Sequence, residues 1–364
     1  MANRYWVGGT GTWDSTSTTN WSDTSGGSGG FSVPTSADNV FFDANSGSGT
    51  ITVTSDVFGA NVNFTGFTGS IVTSSIFFLY LSGNLTLGAA GIYGILNEEF
   101  RVVIESNSTM VSNNTTNPYL LILVQYGGVL TLGDDLEISS LEIISDTVSS
   151  STLNTNNYNV TVSNFDAFGL YPCTINLGSS SLTLSSFYVD SSVIVDAGTS
   201  TINMDYAVFG GDYNWEFYGG SHTYYNLNFS SDSDAIGGGG VYDDNTFHNI
   251  TNSVQLEGVG FAAGSTQTIT GTFGVSGTAG YPFTIRCIDF GSQFTLSKAS
   301  GTVSCDYLNI TGSAATGGAA WYAGANSTDV SNNTGWTFTA PPSPGGQDVI
   351  IGPGVVLGAG VSIT

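Results

Sequence analysis

The chain has 364 residues, a net charge of −24 and a charged fraction of only 9%, whereas soluble domains usually carry roughly 25% charged residues. Because only four residues are Lys or Arg, the chain lacks the basic groove that a nucleic acid backbone requires. An anionic membrane surface would repel it, and no apolar run reaches the ~18 to 20 residues that span a bilayer. We therefore expect neither nucleic acid nor membrane as a partner.

Uncharged small residues take the polar positions of this sequence. Gly alone supplies 50 residues, and Ser, Thr and Asn fill most of the remaining polar positions. All four residue types form helices poorly, and no long run of strong helix formers interrupts them. The composition therefore predicts an all-β chain.

Residues 1–47 differ from the rest because they hold three of the six tryptophans, Trp6, Trp13 and Trp21, among Gly-rich segments. The end of a solenoid exposes unpaired backbone groups and an open core, so terminal segments of such folds are atypical. We interpret residues 1–47 as an aromatic N-terminal cap. Sugar binding by the tryptophans is the functional alternative.

Short strand units recur throughout residues 48–336. The clearest copies are residues 82–88, 181–185, 225–229, 248–252 and 306–311. Apolar and small polar residues alternate in each copy, which is the period of a strand with one buried face. The series continues far beyond the ~seven to nine strands of a sandwich. We predict a right-handed parallel β-helix (solenoid), with apolar side chains stacked inside and Asn, Thr and Ser in ladders outside.

The three cysteines are too few for a disulfide framework or a zinc site. Cys287 and Cys305 are 18 positions apart, close to one coil of a small solenoid, and each follows a β-branched apolar residue by two positions. We expect them to stack on adjacent coils as reduced thiols. A disulfide is the alternative, since strands spaced by about 4.8 Å lie within its reach.

The C-terminal region changes character twice. Residues 337–346 form a Pro/Gly-rich hinge of the kind that separates modules, and residues 347–364 form a tail that resembles two hexapeptide repeats of a left-handed β-helix. Two hexads cannot bury their own apolar face, so we expect this tail to dock, either on its own β-helix or on a neighbouring subunit. The predicted docking residues are Ile351, Val355, Leu357, Val361 and Ile363.

A mixed aromatic and acidic patch is the best candidate for ligand contact. Aromatic rings beside carboxylates suit a sugar ring, although the same residues also fit a loop packed over the solenoid. The candidate glycan-contact residues are Trp215, Tyr218, Tyr224 and Tyr225.

Catalytic residues are harder to identify. Glycoside hydrolysis needs two carboxylates that face one groove, whereas adjacent acidic residues on a strand point to opposite faces. The candidate pairs are Glu98 with Glu99, Asp134 with Asp135, Asp212 with Glu216, and Asp243 with Asp244. We predict that the chain is not an enzyme.

We expect no cofactor. His222 and His248 have no acidic partner at metal-ligand spacing, so we interpret them as ordinary surface or corner residues. The Asp-Ser-Asp run at residues 232–234 offers ligands for Ca²⁺ but lacks the remaining ligands of a recognised calcium loop.

Both ends carry a family resemblance. Residues 4–14, 20–22, 295–303 and 313–321 resemble a group of β-helical surface and tail-fibre-like proteins of bacteriophages, and residues 11–14 and 20–22 are also similar to segments of bacterial autotransporter passengers. The phage resemblance implies a virion structural protein, such as a tail fibre, spike or surface decoration. Its implied partners are other copies of itself, other virion proteins and a host cell-surface glycan.

The implied location is the virion surface or tail, after assembly in the host cytoplasm. The absence of a signal-peptide core in residues 1–9 leads us to expect no export by that route, unless a signal has been removed. The alternatives are a bacterial extracellular adhesin or self-assembling filament subunit, located outside the cell or on its surface, and a glycan depolymerase.

Overall fold

The computed structural model describes residues 1–88, 92–95, 98–146, 148–210, 215–230, 239–253 and 258–342. Within these ranges the chain is all-β, with one short 3-10 turn at Val208–Gly210, and its parallel strands stack into a solenoid of about 12 turns. The predicted all-β class and stacked parallel architecture are confirmed. The tail and its docking residues Ile351, Val355, Leu357, Val361 and Ile363 lie outside the described residues.

Each complete turn contributes up to three strand segments, which we call faces 1, 2 and 3 in chain order. Nearly all neighbours along a face pair in parallel, as expected when each strand lies one turn after its partner. Face 1 consists, from the N-terminus, of Asn3–Trp6, Asn39–Phe41, Val62–Asn63, Leu85–Thr86, Asn107–Val111, Val129–Leu132, Thr152–Asn154, Thr174–Asn176 and Ile194–Asp196.

Faces 2 and 3 begin as separate strands and then share long strands that pass over the corner between them. Face 2 begins with Gly11–Trp13, Thr50–Val53, Ser70–Thr73 and Ile92–Ile95. Face 3 begins with Val57–Gly59, Phe78–Leu81 and Glu98–Ile104. The shared strands are Thr116–Val124, Leu136–Ser145, Val160–Gly169 and Ser181–Val189.

The later turns continue the same stacking. Face 3 continues through Glu216–Tyr218, Gly239–Tyr242, Gly258–Phe261, Phe283–Cys287, Leu308–Thr311 and Thr328–Ser331. The remaining strands are Thr201–Met204, Thr223–Phe229, Thr246–Asn252, Thr266–Ile269, Phe273–Gly274, Phe294–Lys298, Thr302–Ser304, Ser313–Gly317, Ala320–Tyr322 and Trp336–Thr337.

The core is a set of columns in which like side chains stack from turn to turn. On face 3, Phe165, Phe187 and Phe217 are register partners and are fully buried. The ring centroids of Phe165 and Phe187 are 5.2 Å apart, and those of Phe187 and Phe217 are 4.9 Å apart, with nearly parallel planes. Offset-stacked rings at such distances attract each other beyond the gain from burial alone, so the column stabilises the register.

Outside the core, asparagines form the predicted ladders. Asn61 Nδ2 donates to Asn39 Oδ1 at 2.8 Å, and Asn39 Nδ2 donates to Asn3 Oδ1 at 3.1 Å. Farther along, Asn249 Nδ2 donates to Asn226 Oδ1 at 2.8 Å. Each amide both donates and accepts along the stack, which explains how so few charges suffice on this surface.

One corner needs residues that tolerate a left-handed backbone. Asn157, Gly178 and Gly198 have φ of 68°, 55° and 52° in successive turns. A Cβ at Gly198 would lie 2.2 Å from the carbonyl oxygen of Gly178. Glycine is therefore required at this position both by its φ and by the close approach of the preceding turn.

The tryptophans of the N-terminal segment are core residues. Trp6, Trp13 and Trp21 are at most 1% exposed, and Trp21–Ser22 pairs antiparallel with Asn3–Trp6 at the outer edge of face 1. This strand covers the backbone edge that the first turn would otherwise present. Such burial excludes sugar binding by these three rings.

The boundary at residue 47 does not separate two structural units. Asn3–Trp6 pairs in parallel with Asn39–Phe41, and Gly11–Trp13 pairs in parallel with Thr50–Val53. The solenoid therefore already includes Asn3–Trp6 and Gly11–Trp13, and Trp21–Ser22 returns to cover the outer edge of face 1.

The expected stacking of Cys287 on Cys305 is wrong. Phe283–Cys287, Phe294–Lys298 and Thr302–Ser304 are successive faces of one turn, and Ile285 has its next-turn partner at Ile310, 25 positions later. Both thiols are free and buried, so the disulfide alternative is excluded. Burial raises the pKa of Cys305 to about 12, which keeps this thiol protonated.

Replacement of Trp21 by Ala is expected to lower the free energy of unfolding by about 3–5 kcal/mol, because it empties a buried aromatic site. Urea unfolding followed by tryptophan fluorescence and circular dichroism measures the change. The matched control is Phe31→Ala, because Phe31 is 40% exposed. Equal effects of the two substitutions would contradict the role of Trp21 as a core residue.

Candidate functional site

The four predicted glycan-contact residues do not form one patch. Trp215 is 3% exposed and its ring stacks on Phe229 with centroids 5.1 Å apart. Tyr224 is 1% exposed and its hydroxyl donates to the carbonyl oxygen of Gly219 at 2.8 Å. These two predictions are wrong, because both side chains are buried in the core.

Tyr225 lies in a cleft of its own. Its ring stacks on that of His248 with centroids 4.6 Å apart. The cleft has a volume of about 410 Å³ and is lined by Val195, Asp196, Ala197, Gly198, Thr223, Tyr224, Tyr225, His248 and Thr270. Tyr225 is therefore accessible but separate from Tyr218, which lies on face 3.

Tyr218 belongs to an outward column on face 3 that we call the acid–tyrosine column. The register pairs Glu142 with Asp166, Asp166 with Tyr188, Tyr188 with Tyr218, and Tyr218 with Tyr242. Glu142, Asp166 and Tyr188 each lie between buried residues of their strands, and Tyr218 and Tyr242 each end a strand directly after a buried residue, so alternation directs these side chains outward. Two carboxylates and three phenols thus lie in one row along the solenoid.

The tyrosines of the column differ in how much ring surface they offer. Tyr218 and Tyr242 stack with centroids 4.1 Å apart and planes 7° apart, so their facing surfaces are closed to a ligand. Tyr188 is 39% exposed and is tilted by 54° from Tyr218. Tyr188 is therefore the most exposed of the three tyrosines, since Tyr218 and Tyr242 are only partly exposed.

The two carboxylates of the column are held close to each other and partly away from water. Burial raises the pKa of Asp166 to about 6. The pKa of Glu142 is raised by burial first and then by the negative charges of Asp166 and Glu99, while the guanidinium of Arg101 opposes this rise. Like charges on neighbouring strands disfavour double ionisation, so the pair retains a proton more readily than free carboxyl groups do.

A groove lies beside Tyr188, at the end of the tyrosine row that adjoins Asp166. Its volume is about 620 Å³ and it is lined by Ile144, Ser145, Phe168, Gly169, Leu170, Tyr188 and Asp190. Phe168 and Tyr188 meet edge to face, with centroids 6.3 Å apart and planes 74° apart. Leu170 at the groove is 80% exposed. This combination of apolar walls and a few polar groups is typical of small-ligand sites.

Other predicted carboxylates hold the backbone of the neighbouring turn. Asp135 accepts a hydrogen bond from Asn159 N at 2.8 Å, and Asp244 accepts one from Thr266 N at 2.7 Å. Asp134 accepts from Ser112 N and Asp243 from Gly220 N in the same way. These acids are turn-stabilising groups, and Asp212 lies outside the described residues.

Sequence reasoning missed Glu142 and Asp166 because they are 24 positions apart. Only knowledge of the turn length and register makes them neighbours. A search for carboxylates separated by one turn, with an apolar residue on each side, would have found the pair.

Neither a cluster of metal-ligating side chains nor a membrane-spanning helix occurs among the described residues. Among those residues, no group of three or more His, Cys, Asp and Glu side chains is arranged to hold a metal ion. Asp232 and Asp234 lie outside them. In the part of the chain that the structure describes, no helix has both the length and the apolar character needed to cross a membrane.

The raised pKa of Asp166 predicts a pH-dependent stability. A carboxyl group whose pKa rises on folding, here from 3.8 to about 6, stabilises the fold at low pH, and this contribution is lost as the pH rises through about 6. Asp166→Asn should therefore flatten the decrease in the free energy of unfolding between pH 4 and pH 7.

Urea unfolding at a series of pH values measures this slope. The control is Asp23→Asn, which changes an exposed acid in a loop. An unchanged pH slope in Asp166→Asn would show that the carboxyl group of Asp166 titrates as it does in the unfolded chain.

Comparison with protein-family models, with curated proteins and with solved structures finds no match to this chain. The fold and the acid–tyrosine column therefore carry the functional argument, and the resemblance to phage surface proteins stays a prediction.

Proposed function

We propose that this chain is a virion structural protein of a bacteriophage, part of a tail fibre, spike or surface decoration, that holds a glycan-contact surface away from the particle. The observation that carries the proposal is the uninterrupted stacking of about 12 turns. At ~4.8 Å per turn, the stack is about 58 Å long. Side chains stack from turn to turn both in the core and on the surface, and such contacts between neighbouring turns favour a rigid spacer over a flexible one.

The surface supports a role in assembly and display rather than in chemistry. Its hydroxyls and amides are engaged in ladders such as Asn61 to Asn39 and Asn249 to Asn226. The net charge of −24 opposes non-specific association between copies of the chain. Neither feature requires a cofactor, and we propose none.

The C-terminal end of the stack supports contact with another protein chain. Thr328–Ser331 is exposed at all four positions and pairs with Leu308–Thr311 on one side. Among the residue pairings of the described strands, Leu308–Thr311 is the one partner of this strand. An exposed strand edge is a template for pairing with a further strand, which fits other virion proteins or other copies of this chain.

The same edge supports the alternative of a bacterial adhesin or filament subunit. Head-to-tail addition of copies, from Thr328–Ser331 to a part of the N-terminal edge that Trp21–Ser22 does not cover, would extend the solenoid as a filament, because a contact between unlike ends does not close on itself. This alternative differs from the main proposal in location, outside the bacterial cell, and not in fold.

Mass spectrometry of purified phage particles tests the main proposal. We expect peptides of this chain at a fixed stoichiometry to the major capsid protein, and gold-labelled antibodies at the tail or surface. Its presence in the culture medium or on bacterial cells, without particles, would contradict the virion role and favour the adhesin or filament alternative.

A second candidate function, glycan depolymerisation, is favoured by the carboxylate pair alone. Glu142 and Asp166 are register partners on adjacent strands, and such strands are ~4.8 Å apart. Retaining glycosidases hold their two carboxyl groups about 5–5.5 Å apart, one of them protonated at neutral pH. Asp166, with a pKa raised to about 6 by burial, would be the acid and Glu142 the nucleophile.

Release of reducing ends from neutral polysaccharides separates the two functions. For a non-enzymatic display protein we expect no release above the background of the Asp166→Asn and Glu142→Gln variants. The opposite result would be release by the unaltered protein that each of the two substitutions abolishes and that Asp23→Asn leaves unchanged. This result would contradict the non-enzymatic proposal and establish a depolymerase.

A further inference from the structure

We infer that the groove beside Phe168 and Tyr188 binds a neutral sugar chain that lies along the solenoid axis, with Asp166 and Asp190 accepting hydrogen bonds from its hydroxyl groups. The inference rests on the proposed function and deepens it, because it names the site and the chemical class of the glycan.

The aromatic corner provides the apolar contact. Phe168 is 37% exposed, Tyr188 is 39% exposed and the planes of the two rings are 74° apart. Two rings at nearly a right angle form a wall and a floor, and the C–H face of a pyranose packs on such surfaces because it is apolar. Leu170, at 80% exposure, extends the apolar wall on the same strand end.

The carboxylates provide the polar contact. Asp166 is the register partner of Tyr188, and it precedes Phe168 by two positions on the same face of its strand. Asp190 lines the groove, and its Oδ1 accepts a hydrogen bond from Ser192 N at 2.8 Å, which fixes the side chain. Hydrogen bonds from hydroxyl groups to ionised carboxylates are among the stronger kinds.

The local charge selects a neutral ligand. The negative charges of Asp166 and Glu99 act on Glu142, with Arg101 as the opposing cation, and Asp190 adds a further acid at the groove. Against the net charge of −24, a uronic acid or phosphate polymer would be repelled. A second copy of this chain would bring the same acids together, so the charges disfavour it as the occupant.

The column explains why a chain is favoured over a single sugar. Five rungs, from Glu142 to Tyr242, lie in register, and at ~4.8 Å per rung they span about 19 Å. Tyr218 and Tyr242 stack ring on ring and both remain partly exposed. Successive sugars can therefore meet a polar group at each rung beyond the aromatic corner.

Isothermal titration with neutral oligosaccharides of glucose, mannose and galactose tests the inference, with a monosaccharide and a hexasaccharide of each. We expect one of the hexasaccharides to bind and its monosaccharide to bind far more weakly. Tyr188→Ala and Phe168→Ala should each weaken binding by about tenfold, the equivalent of one aromatic contact.

The controls are Tyr281→Ala and Phe290→Ala, which remove exposed aromatic rings outside the column, 71% and 90% exposed. They should leave the affinity unchanged. Equal losses in control and groove variants, no binding of any neutral hexasaccharide, or tighter binding of an oligogalacturonate would overturn the inference. A dimer in sedimentation that Tyr188→Ala dissociates would also overturn it, by making a second copy the occupant.

Failure of the site is distinguishable from failure of the virion role. Suppose that the unaltered protein binds no sugar but that Tyr188→Ala protein is still incorporated into particles. This result would contradict the proposed sugar site and leave the virion role standing. Absence of the chain from particles, combined with sugar binding that Tyr188→Ala weakens, would contradict only the virion role.

Discussion

The register between successive turns determines which side chains meet, both in the core and on the surface of this solenoid. In a parallel stack every residue lies against the residue one turn before and one turn after it, so a side chain is selected for its two vertical neighbours. Inside, this rule places Phe165, Phe187 and Phe217 ring on ring. Outside, it places Asn39 and Asn61 amide on amide. Like charges stacked in one column would repel each other from turn to turn, which accounts for the small number of charged residues in the chain.

The acid–tyrosine column breaks this rule. Glu142 and Asp166 are like charges in direct register, an arrangement that destabilises neighbouring strands, and burial raises the pKa of both. Local conflicts with the stabilising pattern of a fold tend to coincide with functional sites. The location of this conflict beside the exposed Tyr188 and an open groove is what connects the fold to a ligand.

The sequence was sufficient for the architecture, because alternation and composition are local. Asn ladders followed from the uncharged repeat and are present at Asn226 and Asn249. The residues of the site could not be predicted in the same way, because whole turns of unequal length separate them in the sequence. The same uncertainty in turn length caused the error at Cys287 and Cys305, which share one turn.

Adjacency in sequence is also a poor guide to ligand contacts in this fold. Tyr224 and Tyr225 are adjacent, but alternation turns Tyr224 into the core and Tyr225 outward. Trp215 resembles a sugar platform by residue type, yet a Cβ at Gly239 would lie 1.8 Å from its ring, so the next turn closes over it. Residue type alone therefore identified Tyr218, and only the register added Tyr188, Tyr242 and the two carboxylates.

A crystal structure of the protein soaked with a neutral hexasaccharide would locate the ligand relative to the register and so test the sugar site. We expect density for a sugar ring against Phe168 and Tyr188, with hydroxyl groups within hydrogen-bond distance of Asp166 and Asp190 and further rings along the stack. Density in the Tyr225 cleft alone, or across the strands rather than along the column, would contradict it.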